Sequence, residues 1–366
     1  MTSPAPTVII ASMQTFEAGD QLAAALRKGG IRAELFRPPA HGRFAQAMRT
    51  ASRAVYNTVH QSLDDQSPDG MFDLINRLNQ PDVYALEATD ETLEPLVREL
   101  AASKLPSLKK VCDATDPTGM VDKRWQAETA ERVGLTVPTV WSDPEAVTTF
   151  PVLVKPLLGG GGEGIIRAES REELVEAWRK STAGGDEVYI QQLVSGPTMH
   201  VGGVAHKGVP VVIAAYQGTT ASGSPYGQIT SSKLIHDDVA ITAAESMLLA
   251  SGFSGAFCFD LIVDDDGHHH FLEVNPRIFG SWMGLQLAGV DIVGAYIFAI
   301  GLGERPAAST LDYDTVWQLK HPSDANAREV ARAGWKRAGT MKNTIGARGV
   351  SLMMVDLAAH LKRSKQ

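Results

Sequence analysis

The sequence predicts a protein of mixed α/β and α+β class, with an N-terminal α/β domain that contains a parallel sheet. Short β-branched runs alternate with helical patterns before Pro106, which is the order expected of a wound parallel sheet. After that point, paired strand patterns flank short turns, as in antiparallel hairpins. The 366 residues suffice for two or three domains, and 44% hydrophobic with 21% charged residues is ordinary for a globular protein.

The N-terminal domain is predicted to span residues 1–106. Its first strand, at 7–12, precedes a helix over 19–28 that ends at Gly29 and Gly30, because glycine readily adopts the left-handed conformation found at helix ends. Asp90 is predicted to cap a helix that runs to about Ser103. Further strands are predicted at 31–36, 54–57 and 82–87.

The next region, 107–302, begins with a predicted helix over 122–133 that ends before Gly134. A strand at 151–156, a glycine-rich loop at 159–164 and a second strand at 165–168 follow. Ser170 and Glu173 have the spacing of a capping box, which predicts a helix to about Lys180. A further strand is expected at 187–194.

Two hairpins are predicted in the rest of this region. One pairs 199–206 with 209–217 around Lys207-Gly208, and the other pairs 256–263 with 268–274 around the turn at 264–267. A helix over 237–251 lies between them, and Asp291 is predicted to cap a helix to about residue 302. Residues 303–366 form a C-terminal extension with a predicted helix over 350–363.

Composition excludes several classes of function. The chain has 34 Lys plus Arg against 42 Asp plus Glu, and a net charge of −8 is not that of a general nucleic-acid binder. No apolar run approaches the roughly 20 residues of a membrane span, and no basic residue precedes the first apolar run as in a secretory signal. We therefore expect a cytoplasmic protein, with Cys112 and Cys258 as reduced, buried thiols.

The glycine-rich loop does not fit the two familiar phosphate loops. Gly159, Gly161 and Gly164 satisfy GxGxxG, but Ile165 begins a strand where a dinucleotide-binding loop would open a helix. Lys155 precedes the loop, whereas the Walker A lysine follows the last glycine. A glycine loop between two strands can offer backbone N–H groups to a triphosphate, with Lys155 as an added charge. The alternative is a flexible hairpin tip beside a surface lysine.

A second signal is a set of oxygen-bearing side chains on the last predicted hairpin. Asp260 and Glu273 lie on its two strands, and Asn275 shares a face with Glu273 because strand side chains alternate. Such a set suits Mg²⁺, and Arg277 can reach a transferring phosphoryl group. The alternative is a solvated sheet face, but the apolar neighbours of Asp260 and Glu273 argue against it. Residues 264–266 and 268–270 are predicted to be a solvated turn and histidines on alternating faces, not a metal cage.

These two signals, in this order, resemble the ATP-grasp superfamily over about residues 8–302. The resemblance implies that the N-terminal domain is followed by a two-part ATP-grasp domain, made of a small lid at about 135–190 and a larger antiparallel-sheet domain. ATP would bind between these two parts. The implied cofactors are ATP and Mg²⁺, with Mn²⁺ as an alternative to magnesium.

The resemblance also implies roles for individual residues. Asp122-Lys123 is similar to the family's pair ahead of the lid, so Lys123 and Lys155 are expected to contact phosphates. Asp260, Glu273 and Asn275 match the magnesium ligands, and Arg277 matches the arginine that steadies the transferred phosphate or the intermediate. The phosphate-covering loop would include Gly160, Gly161, Gly162 and Gly164.

The hinge after the lid supplies the candidates for nucleoside binding. Gln191, Gln192 and Val194 are candidates for the adenine site. The family often has Gly-x-Glu for the ribose, whereas this chain has Gly196-Pro197-Thr198, so Thr198 or His200 is the ribose candidate.

The function implied is an ADP-forming ligase that phosphorylates a carboxylate and joins it to an amine, with amino acids or peptides as substrates by analogy. Lys155, the glycine loop and Asn275-Pro276-Arg277 also resemble biotin carboxylases, although residues 303–366 are short for that family's C-terminal part. Carboxylation through carboxyphosphate and non-catalytic ATP binding therefore stay open. The segment 219–232 is expected to shape the acceptor pocket, and the C-terminal extension either packs on the core or forms a homodimer.

Overall fold

The computed structural model describes residues 5–11, 17–37, 59–62, 68–89, 93–157, 164–185, 187–221, 229–308, 310–314 and 316–318. The strands of these residues form three sheets, one of four parallel strands and two that are antiparallel. The predicted fold class, α/β combined with α+β, is confirmed. Among these residues, none of the helices combines the length and apolar character that crossing a membrane requires.

The N-terminal sheet has the strand order β3-β2-β1-β4, and all of its pairs are parallel. The strand Thr7–Ala11 in the middle of this sheet is buried along its whole length, and its residues after Thr7 are all apolar, as expected of a strand covered on both faces. The predicted strand at 54–57 and the cap Asp90 lie outside the described residues. The elements are β1 (Thr7–Ala11), α1 (Glu17–Lys28), β2 (Arg32–Arg37), β3 (Val59–Ser62), α2 (Pro68–Leu78), β4 (Val83–Ala88) and α3 (Leu93–Ala102).

Three helices connect this sheet to the rest of the chain: α4 (Leu108–Val111), α5 (Pro117–Val121) and α6 (Lys123–Arg132). The Asp122 carboxylate accepts hydrogen bonds from the backbone N–H groups of Arg124 and Trp125. Because Asp122 is the N-cap, α6 begins at Lys123, and this lysine projects from the first turn.

The small sheet has the antiparallel order β5-β8-β6-β7. Its strands are β5 (Val140–Trp141), β6 (Val152–Pro156), β7 (Ile166–Ala168) and β8 (Val188–Gln192), and α7 (Arg171–Thr182) packs on it. The Ser170 hydroxyl accepts a hydrogen bond from the N–H of Glu173, as the capping box predicts. The small sheet has a hydrophobic core of its own, which includes Val152, Leu174 and Ile190.

The large sheet has six strands in the order β13-β12-β9-β10-β11-β14. They are β9 (Thr198–His206), β10 (Val209–Ala221), β11 (Ile229–Ile235), β12 (Gly255–Val263), β13 (His269–Asn275) and β14 (Val316–Gln318). Both predicted hairpins are present, β9–β10 and β12–β13. The sequence did not predict β11 and β14, and β10 extends into the segment that was expected to be a loop.

Three further helices cover the large sheet: α8 (Asp238–Ser251), α9 (Trp282–Leu287) and α10 (Ile292–Ala299). Two hydrophobic clusters each combine residues of the N-terminal sheet with residues of the large sheet. One contains Ile9 and Phe259, and the other contains Ile10 and Tyr216. The N-terminal and large sheets therefore share their cores, whereas the small sheet does not contribute to either cluster.

Candidate active site

The three predicted magnesium ligands converge at the edge of the large sheet. In the β12–β13 register Asp260 lies opposite Glu273, and Asn275 lies opposite Cys258 on the same face. The Asn275 amide nitrogen is 3.4 Å from Asp260 Oδ2 and 3.4 Å from Glu273 Oε1. A flip of this amide would turn its oxygen towards the same point. The site is open on one side, because the side chains of Asp260 and Glu273 are 24% and 38% exposed.

Two lysines from different elements lie beside this carboxylate pair. Lys123 Nζ at the start of α6 is 3.8 Å from Glu273 Oε2 and 6.0 Å from the ring centroid of Tyr189. Lys155 Nζ at the end of β6 donates to Gln191 Oε1 at 2.5 Å. Burial lowers the pKa of Lys155, and the negative charge of Glu273 opposes that shift. The two ammonium groups thus concentrate positive charge where an anionic ligand would be held.

The hinge residues split between the two sides of β8. Gln191 is buried and bonded to Lys155, whereas Gln192 Oε1 accepts a hydrogen bond from the Thr139 N–H at 3.2 Å. Val194 follows the strand and is half-buried, and Thr198 begins β9 opposite Ile262. The side chains of Gln191 and Gln192 therefore lie on opposite faces of β8. Gly160, Gly161 and Gly162 lie outside the described residues.

Gly164 closes the glycine loop in a conformation that favours glycine. Its φ is +75°, and an added Cβ would lie 3.3 Å from Cγ of Pro156. Gly164 therefore allows a tight turn into β7, the strand that pairs with β6, which carries Lys155.

Arg277 connects the site to the N-terminal sheet. Its Nη1 donates to the carbonyl oxygens of Thr89 and Ile278, both at 3.3 Å. The backbone N–H of Ile278 donates a short hydrogen bond to the Glu87 carboxyl, which also bonds Tyr296. Burial raises the pKa of Glu87 to about 8, and these hydrogen bonds and the nearby Arg277 moderate the rise. The end of β4 thus fixes the backbone that carries Arg277.

Three neighbours of Asp260 were not predicted to act with it. His200 Nδ1 is 2.6 Å from Asp260 Oδ1, and Cys258 Sγ is 3.5 Å from the same oxygen. The Tyr216 hydroxyl is 3.3 Å from Cys258 Sγ, and its ring stacks on His200 with centroids 5.0 Å apart. Cys258 and Asp260 share a face of β12 because strand side chains alternate, which the sequence alone could show. His200 lies opposite Asp260 on the neighbouring strand β9, and the sequence does not reveal that pairing.

The remaining candidates behave largely as the sequence indicated. Cys112 and Cys258 are buried, free thiols, and burial raises the pKa of Cys112 to about 12. His269 contacts Asp237 at 2.8 Å, whereas His268 and His270 both contact Asp264, at 3.4 and 2.7 Å, so the three histidines alternate faces as predicted. The strand β11 begins at Ile229, within the segment 219–232 that was expected to be a loop.

Comparison with known proteins identifies the domain that contains this site. A family model described as "ATP-grasp domain" matches residues 120–281. The D-alanine–D-alanine ligase of Methylococcus capsulatus is 31% identical over 140 residues, which are 34% of this chain and 43% of the ligase. Biotin carboxylase 1 of Populus trichocarpa chloroplasts is 27% identical over 216 residues, 51% of this chain and 39% of that protein. The chain thus spans less than half the length of both relatives.

Solved structures show the same fold at low sequence identity. The biotin carboxylase domain of Hydrogenobacter thermophilus 2-oxoglutarate carboxylase has a TM-score of 0.61 and 19% identity, over 84% of this chain and 73% of that chain. The L-amino acid ligase of Bacillus licheniformis has a TM-score of 0.56 and 16% identity, over 82% of this chain and 75% of that chain. Residues 120–281 therefore match an ATP-grasp domain, and the solved structures share the fold of most of the chain.

Proposed function

We propose that this protein is an ADP-forming ligase that phosphorylates a carboxylate to an acyl phosphate and joins it to an amine. The observation that carries the proposal is the convergence of Asp260, Glu273 and Asn275, with Lys123 beside Glu273. The similarity to a D-alanine–D-alanine ligase and to an L-amino acid ligase supports amide formation. Amino acids or peptides are the proposed substrates, by analogy with these two enzymes.

ATP is proposed to bind between the small sheet and the large sheet. Lys123 at the start of α6 and Lys155 at the end of β6 supply two positive charges, and phosphates are bound by such charges. The solved structure of the Hydrogenobacter domain is a complex with ADP, magnesium and bicarbonate, which supports nucleotide binding by this fold. Gly160, Gly161, Gly162 and Gly164 are proposed to cover the phosphates, with Gln191, Gln192 and Val194 near adenine and Thr198 near ribose.

The donor set at β12 and β13 fits magnesium. Two carboxylates and an amide side chain share one face, and Mg²⁺ prefers oxygen ligands together with phosphate oxygens. Asp260, Glu273 and Asn275 would hold the ion, which when bound offsets the negative charge of the nucleotide phosphates. The part-exposed carboxylates leave room for the phosphates.

The chain's own residues can support both chemical steps. A substrate carboxylate attacks the γ-phosphorus, the bond to ADP breaks, and Lys123 and Lys155 stabilise the charge that moves onto the phosphates. The amine then attacks the acyl phosphate, loses a proton to solvent, and inorganic phosphate leaves. Arg277 is proposed to stabilise the oxyanion of that step, and the carbonyl oxygens of Thr89 and Ile278 hold its side chain. The proposed lid, at about 135–190, would exclude water from the acyl phosphate.

The proposal is tested by measuring ADP release from magnesium and ATP with pools of carboxylic acids, each with and without pools of amino acids and amines. We expect release that requires both pools, and subdivision of the pools identifies the two substrates. ATP binding without ADP release in any pool would contradict the enzymatic assignment. Release on a carboxylate alone, with no amine, would contradict ligation.

A second candidate is carboxylation through carboxyphosphate. Similarity to biotin carboxylases, together with their shared Asn275-Pro276-Arg277, favours it specifically. Bicarbonate would then replace the organic carboxylate as the phosphoryl acceptor. ADP release that depends on bicarbonate, without any amine, would establish this alternative over the ligase.

We also propose that the protein is a cytoplasmic homodimer. The Hydrogenobacter biotin carboxylase domain is described as a dimer, and the two chains share a fold. Light scattering after size exclusion measures the mass directly. A mass near that of one 39.2 kDa chain would contradict the dimer.

A further inference from the structure

We propose that His200, Cys258 and Asp260 bind a transition-metal ion of the Zn²⁺ or Co²⁺ type in the absence of nucleotide. One donor atom from each of these residues lies within 4.8 Å of the others. The three side chains come from one face of β9 and β12, next to the proposed magnesium position. Binding to this triad needs no substrate, so it is independent of whether the protein is a ligase.

The distances already approach those of a tetrahedral site. With bonds of about 2.0–2.3 Å, neighbouring ligand atoms of a tetrahedral ion are roughly 3.3–3.6 Å apart. Cys258 Sγ and Asp260 Oδ1 are 3.5 Å apart. His200 Nδ1 and Asp260 Oδ1 are 2.6 Å apart, a hydrogen-bond distance. This second pair needs to open by roughly 0.7 Å when an ion replaces the shared proton, which a small side-chain rotation provides.

The donor types select the class of metal. A thiolate and an imidazole favour zinc, cobalt and related ions, whereas magnesium is bound almost entirely by oxygen. Asp260 presents its two oxygens to different neighbours, since Oδ1 faces His200 and Cys258 while Oδ2 is 3.4 Å from the Asn275 amide. The Asp260 carboxylate can therefore bridge two ions, as in two-metal sites. Its Oδ1 would bind the ion held by His200 and Cys258, and its Oδ2 the ion held by Glu273 and Asn275.

Tyr216 supports the triad from β10. Its ring lies nearly parallel to the His200 imidazole, at an angle of 20°, and its hydroxyl is 3.3 Å from Cys258 Sγ. These contacts orient both soft ligands, which is the role of outer-shell partners in metal sites. Both ligands are also shielded from water, because His200 is 8% and Cys258 5% exposed.

The protons balance on binding. Burial raises the pKa of the Cys258 thiol, and the positive charge of Arg277 opposes that rise. On binding the metal, the thiol gives its proton to the buffer and becomes a thiolate ligand. Binding through Nδ1 leaves the imidazole proton on Nε2 of His200, a buried atom with no other hydrogen-bond partner among the described residues. Each ion bound by a thiol, a neutral imidazole and an ionised carboxylate therefore releases one proton.

A second group of possible ligands on the same hairpin offers a control. Asp264, Asp266 and His268 also lie within reach of one ion, but they occupy the β12–β13 turn, where Asp266 and His268 are exposed. This group has no thiol. A metal bound there would lack sulfur coordination.

The test is a titration of nucleotide-free, reduced protein with Co²⁺ alone. We expect one tightly bound ion and a thiolate-to-cobalt charge-transfer band in the near ultraviolet. Cys258→Ser should abolish the band and weaken binding at least tenfold, and His200→Ala should weaken binding by a similar factor. Cys112→Ser and His268→Asn are the matched controls, and they should leave both the band and the affinity unchanged.

The proposal is overturned if the wild-type protein shows no band, or if the band survives in Cys258→Ser. Because a core variant can fail to fold, X-ray absorption on the zinc-loaded wild-type protein gives a test without substitution. One sulfur at about 2.3 Å from zinc is expected. A shell of nitrogen and oxygen only would refute the site. If X-ray absorption shows the zinc–sulfur bond but no substrate pool supports ADP release, the ligase proposal is refuted and the metal site is not.

Discussion

Asp260 and Glu273 face each other across two strands and keep part of their carboxylates in contact with solvent. A neutral side chain of the same size at either position should therefore disturb phosphate binding more than folding. We expect Asp260→Asn and Glu273→Gln to lower ADP release by roughly 10²–10³-fold, the size of effect found when one electrostatic contact to a transition state is lost.

Steady-state ADP release and thermal melting, measured on the same samples, check this prediction. Asp266→Asn is the control, because Asp266 is an exposed residue of the turn on the same hairpin. Turnover of Asp260→Asn at the wild-type rate would remove Asp260 from the site.

Glu87 predicts a dependence of stability on pH. Its pKa is raised from 4.5 to about 8 by burial, so between those values the folded state holds a proton that the unfolded state has lost. Stability therefore falls as pH rises from about 5 to 9, by an amount on the order of a few kcal/mol.

Melting temperatures across this pH range measure the effect. Glu87→Gln should flatten the curve, whereas Glu34→Gln, a buried carboxylate of the same sheet that pairs with Arg77, should leave the slope unchanged. An identical slope in wild-type and Glu87→Gln proteins would show that another group is responsible.

The sequence alone predicts those residues of the candidate site that lie on the same strand or hairpin as a recognisable motif. Asp260, Glu273 and Asn275 follow from alternation along two strands joined by a short turn. His200 lies opposite Asp260 only because β9 and β12 are neighbours, and Glu87 meets Ile278 across 191 residues of chain. Nothing in the local pattern encodes such long-range registers.

At the scale of elements, β9 leaves little room for added side-chain atoms at Gly203. It lies between β12 and β10, and a Cβ added at Gly203 would overlap the carbonyl oxygen of Val212 and approach the Phe257 ring at 2.9 Å. We expect Gly203→Ala to lower the free energy of unfolding by roughly 1–3 kcal/mol, the usual effect of overpacking a core.

Urea unfolding followed by circular dichroism measures that loss. Gly280→Ala is the matched control, because a Cβ added there would meet no atom within 4 Å, so its effect should be small. Equal stability of the Gly203→Ala and wild-type proteins would mean that β9 and β10 separate more easily than their register indicates.

The strand β6 carries the lysine expected to bind phosphate. Lys155 donates a hydrogen bond to Gln191, and the negative charge of Glu273 opposes the lowering of its pKa by burial. A bond between this ammonium and a phosphate should form when ATP binds, so Lys155→Ala should weaken ATP binding about tenfold to a hundredfold.

Calorimetric titration with a non-hydrolysable ATP analogue gives the affinity. Lys180→Ala, on the exposed side of α7 in the same part of the chain, should bind as the wild type does. An unchanged affinity of Lys155→Ala would place the phosphates elsewhere.

Elements with clear periodicity were predicted from the sequence, and those without it were not. The apolar runs of β1 and β12 and the capped helices α6 and α8 are all present. The strand β11 has the sequence ITSSKLI, in which polar residues occupy buried positions such as Ser231 and Ser232. Its hydrogen bonds to β10 and β14, rather than its own apolar pattern, define it as a strand.

For the whole molecule, two shared hydrophobic clusters join the N-terminal and large sheets, while the small sheet has a separate core. Cores that share no residues can unfold separately. We therefore expect Leu174→Ala, in the small-sheet core, to increase hydrogen exchange in β6–β8 and α7 only, after a local loss of about 2–5 kcal/mol.

Hydrogen exchange read by mass spectrometry gives protection segment by segment. Leu248→Ala is the comparison, because Leu248 lies in a cluster shared by both other sheets, and exchange should rise in the N-terminal and large sheets together. A uniform rise in the Leu174→Ala protein would show that all three sheets unfold as one unit.

The attachment of Arg277 to Thr89 and of Ile278 to Glu87 limits how enzymes of this architecture can be recombined. A chimera that exchanges the N-terminal sheet for that of another ATP-grasp protein also replaces residues that hold Arg277, the arginine proposed to act on the intermediate. A chimera with a foreign N-terminal sheet therefore has to keep a carboxyl group at position 87. The alternative is to exchange Glu87 and Thr89 together with Arg277 and Ile278, the residues that they contact.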